Sequence, residues 1–254
     1  MQPSVLSGSG NAEKDWRVRL SLPPAATGFY RDSPLMAPLK DTDGMIFPVT
    51  PTIIVQNSAN YTPQELPHTN YPYYAYNNSR VDAMSIIGNF PVQNSIEGQY
   101  WLASMHFLRT ASKMFFGPGE SQGNPPQILR LNGYGEHIFK DVPVIIEQVT
   151  IELRESFDYI AVSAAAGDSK AMSQQVSDVQ ATQAKRNSGV GPAGMTASET
   201  PTNAITGVGP TITRVPTDSV FTVVVQPIYS RKKIKDKFNL RDFANGTLAK
   251  DGFI

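Results

Sequence analysis

The sequence contains no cysteine and is poor in charged residues. The absence of cysteine excludes disulfide bonds, thiolate metal sites and a thiolate nucleophile. Charged residues make up 17% of the 254 residues, and 22 basic side chains balance 22 acidic ones, so the net charge is zero. A neutral surface with few charges favours association with other proteins. It disfavours a dedicated nucleic-acid-binding protein, which would carry a strongly basic surface.

Long apolar runs are also absent. No stretch approaches the roughly 18 apolar residues that predict a membrane-spanning helix. The first residues, MQPSVLSGSGNAEKDWRV, lack the apolar segment of a secretory signal. We therefore expect no membrane contact and assembly in a cytoplasm. We expect residues 1–12 to form a flexible N-terminal arm and residues 13–254 to form a single domain.

Alternating apolar and polar residues predict several β-strands. The alternation places Trp16 on the buried face of a first strand, and it returns over residues 81–92. The run VFTVVV (residues 220–225) is almost continuously apolar, which predicts a strand covered on both faces. Between residues 142 and 153 the apolar phase changes at Glu147-Gln148, which predicts either a β-bulge or a corner between two sheets.

One amphipathic helix is predicted over residues 94–116. Asn94 and Glu97 have the spacing of a capping box, large apolar residues follow at helical spacing, and Gly117-Pro118 predicts the end. Beyond the helix, Asn132-Gly133 is typical of a tight type I′ hairpin turn. Strands around a single helix predict a β-rich α+β fold, an antiparallel β-sandwich or barrel with one flanking helix.

Residues 161–212 differ from the rest of the chain in composition. They are rich in Ala, Ser, Gly, Gln and Thr, and they contain no aromatic residue. A loop longer than about 15 residues within a domain is usually functional or disordered. We expect a long flexible insertion of low complexity, because the residues after it are too few to build a core of their own.

The sequence offers no convincing catalytic or metal-binding motif. The three histidines, His68, His106 and His137, are far apart and lack metal-ligand spacing. The GxGxxG pattern at residues 189–194 does not follow a predicted strand, so we interpret it as a chance match. Glu152 and Glu155 are interpreted as solvated carboxylates. We therefore predict no catalytic residue, no metal, no cofactor and no enzyme activity.

A cluster of tyrosines is the first candidate for partner binding. It comprises Tyr71, Tyr73, Tyr74 and Tyr76, within a stretch (residues 56–80) that predicts a long loop or an excursion from a hairpin. Such side chains can form a small core of the loop itself, or an interface, where tyrosine is enriched. The low surface charge favours the interface.

A basic run after the last predicted strand is the second candidate. It comprises Arg231, Lys232, Lys233, Lys235 and Lys237. The run is either a solvated or salt-bridged tail, or an electrostatic contact with an acidic partner. Specific DNA contact is less favoured, because phosphate binding needs several cations that converge on one face.

Five segments follow one another along the chain: DWRVRLSLP, FPVTPTIIVQNSANYTP, NSIEGQYWLASMHFLRTASKMFFG, LRLNGYG and VFTVVVQPIYSRKKI. In this order they resemble the tail-tube and baseplate tube-initiator proteins of contractile-tailed bacteriophages, particularly the baseplate tail-tube cap. The resemblance covers roughly residues 13–160 and 213–254. The insertion departs from the compact main tube subunit, which favours an initiator or cap.

The resemblance implies a tail-tube-like fold and a structural role in the virion tail baseplate. It implies a hexameric ring on the central hub, whose hairpins join into a β-lined channel and which initiates or caps the tail tube and templates its polymerisation. The implied partners are identical copies, neighbouring hub and tail-tube proteins, the tape-measure protein in the lumen, and DNA only in passage. Segments 52–55 and 81–90 are the candidate channel lining.

Three alternatives remain open at the level of sequence. One is the main tail-tube subunit of a related contractile injection system. Another is a carbohydrate-binding β-sandwich module that uses the tyrosines as a sugar platform. The third is a hydrolase that uses Glu152 and Glu155.

Overall fold

The computed structural model describes residues 16–23, 33–40, 42–116, 123–163 and 212–254, and the structural statements below concern these residues. The predicted N-terminal arm, the GxGxxG match and most of the predicted insertion lie outside them. The insertion is also shorter at its edges than expected, because strand pairing extends through Ser163 and resumes at Ile212.

Short strands dominate the described residues. They are β1 (Arg19–Ser21), β2 (Met45–Ile46), β3 (Thr52–Ile54), β4 (Asn57–Gln64), β5 (Tyr73–Val81), β6 (Met84–Asn89), β7 (Leu129–Gly133), β8 (Phe139–Leu153), β9 (Tyr159–Ser163), β10 (Ile212–Pro216) and β11 (Ser219–Pro227). The helices are α1 (Ser95–Ala111), α2 (Arg231–Lys237) and α3 (Leu240–Ala244), with 3-10 helices at Pro34–Leu39 and Leu248–Asp251.

Seven of these strands form one antiparallel sheet in the order β2-β1-β7-β8-β11-β6-β3. The pair β9–β10 and the pair β4–β5 are separate two-stranded ladders. Helix α1 contacts the sheet, and it also contacts the β9–β10 pair and the 3-10 helix Pro34–Leu39. The fold is therefore β-rich α+β and consistent with a β-sandwich, as predicted. In the part of the chain that is described, no helix is long and apolar enough to cross a membrane.

Aromatic rings fill the core between α1 and the sheet. The ring of Phe90 stacks on Phe221 at 4.6 Å and lies 6.3 Å from Tyr100, and Trp101 meets Phe221 edge-on at 5.7 Å. All four side chains are almost completely buried. Burial of a large side chain contributes about 1.5–3 kcal/mol to folding, so this cluster holds the helix on the sheet.

Two buried polar groups of α1 also find partners in the strands. The Trp101 indole N–H donates to the Ser219 hydroxyl at 2.7 Å. The Tyr100 hydroxyl accepts from the Ile46 amide at 2.7 Å and donates to the Ile46 carbonyl at 3.3 Å. Burial raises the pKa of Tyr100, so the neutral hydroxyl is kept. The helix is thereby attached to β2 and to β11.

The predicted start of α1 is confirmed, and its predicted end is wrong. The Glu97 amide donates to the Asn94 side chain at 2.9 Å, and the Glu97 carboxylate accepts from the Gln93 amide at 2.8 Å. The helix ends at Ala111, five residues before the predicted 116. Beyond it the Phe115 backbone bonds to Asn124 and Gly123, a tertiary contact that replaces the last helical turn.

The turn predicted at Asn132-Gly133 is also wrong, because both residues lie within β7. A Cβ atom on Gly133 would lie 3.1 Å from the Val18 Cα, so this glycine permits close approach of the segment that leads into β1. The chain turns later, where Tyr134 and Gly135 adopt positive φ angles of 57° and 93°. The Asn132 side chain accepts from the Asp141 amide at 2.8 Å and so fixes the start of β8.

The remaining strand predictions are divided. A bulge is confirmed at Glu147, which is left unpaired between the Val224–Gln148 and Val225–Ile146 pairs. The strand containing VFTVVV is buried on one face and only half-buried on the other, because the second layer covers one face of the sheet. Trp16 is exposed rather than buried.

Candidate protein–protein interface

The tyrosine cluster lies on a long hairpin that projects beyond the seven-stranded sheet. Strands β3 and β6 pair within the sheet, and their continuations β4 and β5 pair only with each other in the described chain. The Asp82 amide donates to the Gln56 carbonyl at 2.9 Å at the base, and the Gln226 amide group donates to the Val81 carbonyl at 3.0 Å. Of the two predictions for residues 56–80, a long loop or an excursion from a hairpin, the structure shows the hairpin.

The alternation of strand residues gives this hairpin an aromatic face. Tyr61 lies opposite Tyr76, with their rings edge-on at 5.6 Å, and Pro63 lies opposite Tyr74. The Tyr76 hydroxyl is 2.8 Å from the Ser79 hydroxyl on the same face. Three tyrosines therefore form one continuous strip along β4 and β5.

The opposite face of the hairpin is polar and uncharged over most of its length. The Asn60 amide group donates to the Asn78 carbonyl oxygen at 2.9 Å, and the Asn77 amide group donates to the Thr62 hydroxyl at 2.6 Å. Asn77 reaches this face because the pairing shifts by one residue beside Tyr61. The hairpin is thus two-sided: Tyr61, Tyr74 and Tyr76 share one face, and a ladder of amides and hydroxyls lies on the other. Tyr73, opposite Gln64, lies on that polar face near the tip.

All four predicted tyrosines are strongly exposed. Tyr71 is 83% accessible at the tip of the hairpin, and Tyr74 is 66% accessible on the aromatic face. The tyrosines do not form a small core for the hairpin, which was the alternative interpretation. Tyr61 belongs to the same strip but was absent from the predicted set, since the sequence cluster was defined by proximity along the chain. Its alternation with Ala59 and Pro63 is the signal that could have identified it.

The predicted basic run folds as α2 and is not an extended tail. Lys237 forms an ion pair with the Asp251 carboxylate at 2.8 Å, which lowers the pKa of Asp251 mainly through the hydrogen bond. Lys233 donates to the Asp251 carbonyl and lies 4.9 Å above the Phe253 ring. These two lysines therefore hold the end of the chain in place.

The other three cations of the run face solvent. Arg231, Lys232 and Lys235 are exposed, and none of them forms an ion pair with a described residue. The structure thus separates the five predicted cations into two that stabilise this chain and three that remain accessible.

Residues 228–254, here called the C-terminal module, pack against the start of β8. The Ile228 amide donates to the Pro143 carbonyl at 2.9 Å, and Lys250 lies 3.4 Å from Glu136. Tyr229 stacks on Phe253 at 4.9 Å, and burial raises the pKa of Tyr229 to about 12. The hairpin and the C-terminal module both lie where β11 ends, because Gln226 on β11 contacts the hairpin base.

The C-terminal module also exposes apolar side chains that sequence reasoning missed. These are Ile234, Phe238, Leu240 and Phe243, and the rings of Phe238 and Phe243 lie 6.2 Å apart. Basic residues surround them in the sequence, so only their helical spacing could have indicated a shared surface.

The described residues show no arrangement typical of a catalytic or metal centre. Within the described ranges, no group of three or more His, Asp or Glu side chains is placed so that it could hold a metal ion. Burial is the main cause of a lowered His106 pKa, with the nearby Arg109 charge contributing less. Glu152 binds the Arg154 guanidinium at 3.1 and 3.4 Å, and Glu155 is exposed.

Exposed aromatic rings, strand edges that no described strand covers, and accessible cations lie at one end of the molecule. Comparison with known proteins adds no family assignment: the sequence matches no family model and no curated protein.

Proposed function

We propose that this protein is a structural protein of a bacteriophage baseplate. It forms a ring on the central hub that initiates or caps the tail tube and templates tube polymerisation. The observation that carries the proposal is the projecting β4–β5 hairpin, which is exposed on both faces and unpaired on both edges in the described chain. The resemblance in element order supplies the family to which such an arm would belong.

Energetic considerations support an assembly role for the hairpin. A two-stranded hairpin alone is at best marginally stable in water. Strand edges that carry free N–H and C=O groups readily pair with another chain, and proteins usually protect them with charge or proline. Strand β5 contains no proline, and Arg80 is its one charged residue. An identical neighbouring copy in a ring would cover the hairpin and complete its hydrogen bonding.

The part of the open sheet face formed by β3, β6 and β11 supports a channel-lining role. Side chains of β3 and β6 that point away from α1 are Thr52, Ile54, Ser85 and Ile87, and none of them is charged. The neighbouring Val220, Thr222 and Val224 of β11 continue this neutral surface. A surface without cations does not hold phosphate. It therefore suits a lumen through which the tape-measure protein and later DNA pass without binding.

The size and shape of the assembly in solution test the proposal. We expect the purified chain to form closed rings, seen as a multiple of the 27.7 kDa protomer in light scattering and as annuli in electron micrographs. Tyr74→Ala with Tyr76→Ala should abolish rings and leave the protomer folded. Phe116→Ala, which removes an exposed aromatic side chain outside the hairpin, is the matched control.

The same experiment separates the alternatives. Long tubes formed by the chain alone favour the main tail-tube subunit. The exposed tyrosines beside amides and hydroxyls also favour a carbohydrate platform. A wild-type chain that stays monomeric at every concentration and binds glycans through Tyr71, Tyr73 and Tyr74 would support that module and overturn the baseplate proposal.

A further inference from the structure

The two ends of the molecule along β8 differ in charge. The C-terminal module packs at the start of β8, and the chain turns at residues 154–158 after its end. From Asp141 to Leu153 the strand extends about 40 Å, at about 3.3 Å per residue. The two regions are therefore opposite ends of the same protomer.

The end beyond β8 is acidic. Glu152, Glu155, Asp158 and Asp218, here called the acidic patch, lie at the end of β8 and in the two turns beyond it. These turns are neighbours, because Ser219 pairs with Leu153 and the Thr217 amide donates to the Asp158 carbonyl at 2.8 Å. Arg154 lies among them, and its pKa is raised by the Glu152 hydrogen bond and, to a smaller extent, by the Asp218 charge. Leu153 and Tyr159 expose apolar surface beside the patch.

The opposite end is basic and apolar. The C-terminal module exposes Ile234, Phe238, Leu240 and Phe243 beside Arg231, Lys232 and Lys235, which form no ion pair with any described residue. Isolated exposed apolar side chains are ordinary, but a contiguous apolar group with a charged rim is typical of an interface.

We propose that the C-terminal module of one copy docks on the acidic patch of a second copy. Apolar side chains would meet at the centre of this contact, and opposite charges would lie at its rim. Such a head-to-tail contact joins two different surfaces, and it closes into a ring when the rotation between copies is fixed at the right angle. The inference rests on the proposed ring and names the surfaces that join its copies.

Charge reversal tests this contact. Lys232→Glu with Lys235→Glu reverses the basic rim and spares Lys233 and Lys237, which hold the module in place. Glu155→Lys with Asp158→Lys reverses the acidic patch. We expect each double variant to weaken self-association roughly tenfold or more at low salt. Lys40→Glu with Lys113→Glu makes the same change in net charge as the first double variant, at exposed positions elsewhere, and should leave association unchanged.

Mixing the two reversed variants gives the sharper test. A head-to-tail contact predicts that the mixture assembles, because each reversed surface then meets its complement, and that a chain carrying all four reversals assembles with itself. Light scattering and electron microscopy measure the outcome, and thermal melting confirms that each variant is folded.

The outcomes distinguish this inference from the proposed function. If the wild type forms rings and either reversed variant forms them equally well, the inference alone is overturned. The same holds if the mixture of the two variants fails to assemble. A wild-type chain that forms no ring at the highest concentration overturns the proposed function as well. Loss in each variant with recovery in the mixture supports both.

Discussion

Strands β5 and β11 have the same length but opposite environments. Each contains nine residues, and each pairs in antiparallel fashion. In β11 every second side chain is buried beneath α1, whereas nearly every side chain of β5 is exposed. Strand β11 is paired on both sides and covered on one face by its own chain. Strand β5 has the pairing and alternation of a strand, but no layer of the described residues covers it. The proposed ring would supply that cover from a neighbouring copy.

The largest expected effect on the free energy of unfolding comes from a change in the core between α1 and β11. Trp101→Ala removes a buried ring that contacts Phe221 and leaves the Ser219 hydroxyl without its donor. We expect a loss of about 3–5 kcal/mol in the free energy of unfolding. Urea denaturation measures it, with Phe116→Ala as the exposed control. A loss below about 1 kcal/mol would contradict the packing of α1 on the sheet.

Sequence-based prediction succeeds where the contacts are local and fails where they are tertiary. The start of α1 was predictable because its capping hydrogen bonds are local. The Asn94 side chain accepts from the Glu97 amide, and the Glu97 side chain accepts from the Gln93 amide. The end of α1 was not predictable, because Phe115 bonds to a segment beyond the helix. The pair Asn132-Gly133 predicts a turn, although the role of Gly133 is close approach to Val18. Local contacts were visible in the sequence, and tertiary contacts were not.

The candidate interface was predictable in part for the same reason. The tyrosine cluster is local in sequence, so the sequence alone indicates it. The division of the basic run was invisible, because Lys233 and Lys237 are held by Asp251, which lies 18 and 14 residues further along the chain. The acidic patch unites two turns that are distant in sequence, and only the strand pairing brings them together.

A smaller effect is expected where the second layer covers α1. A methyl group at position 98 would collide with the Val162 side chain on β9, which is fully buried. Gly98→Ala should therefore destabilise the protein by about 1–3 kcal/mol. In a Val162→Ala background the same change should be neutral or stabilising, because alanine favours the helix by up to about 1 kcal/mol over glycine. Stabilisation by Gly98→Ala alone would show that β9 does not lie on the helix.

The smallest effect on stability, and the largest on assembly, belongs to the hairpin. Tyr74→Ala with Tyr76→Ala removes rings that are mostly exposed, so little burial is lost. The edge-on contact between Tyr61 and Tyr76 is the main interaction removed, and such pairs contribute about 0.5–1.5 kcal/mol. We expect a loss of about 1 kcal/mol or less in the free energy of unfolding of the protomer, measured by urea denaturation, with Tyr74→Ala alone near zero.

A loss comparable to that of Trp101→Ala would mean that the hairpin is part of the cooperative core, and the distinction between β5 and β11 would then fail. A small loss accompanied by intact rings would instead leave the hairpin folded but without a role in assembly. If the variant protomer is stable but no longer associates, the result supports the proposal that β5 is covered by another copy.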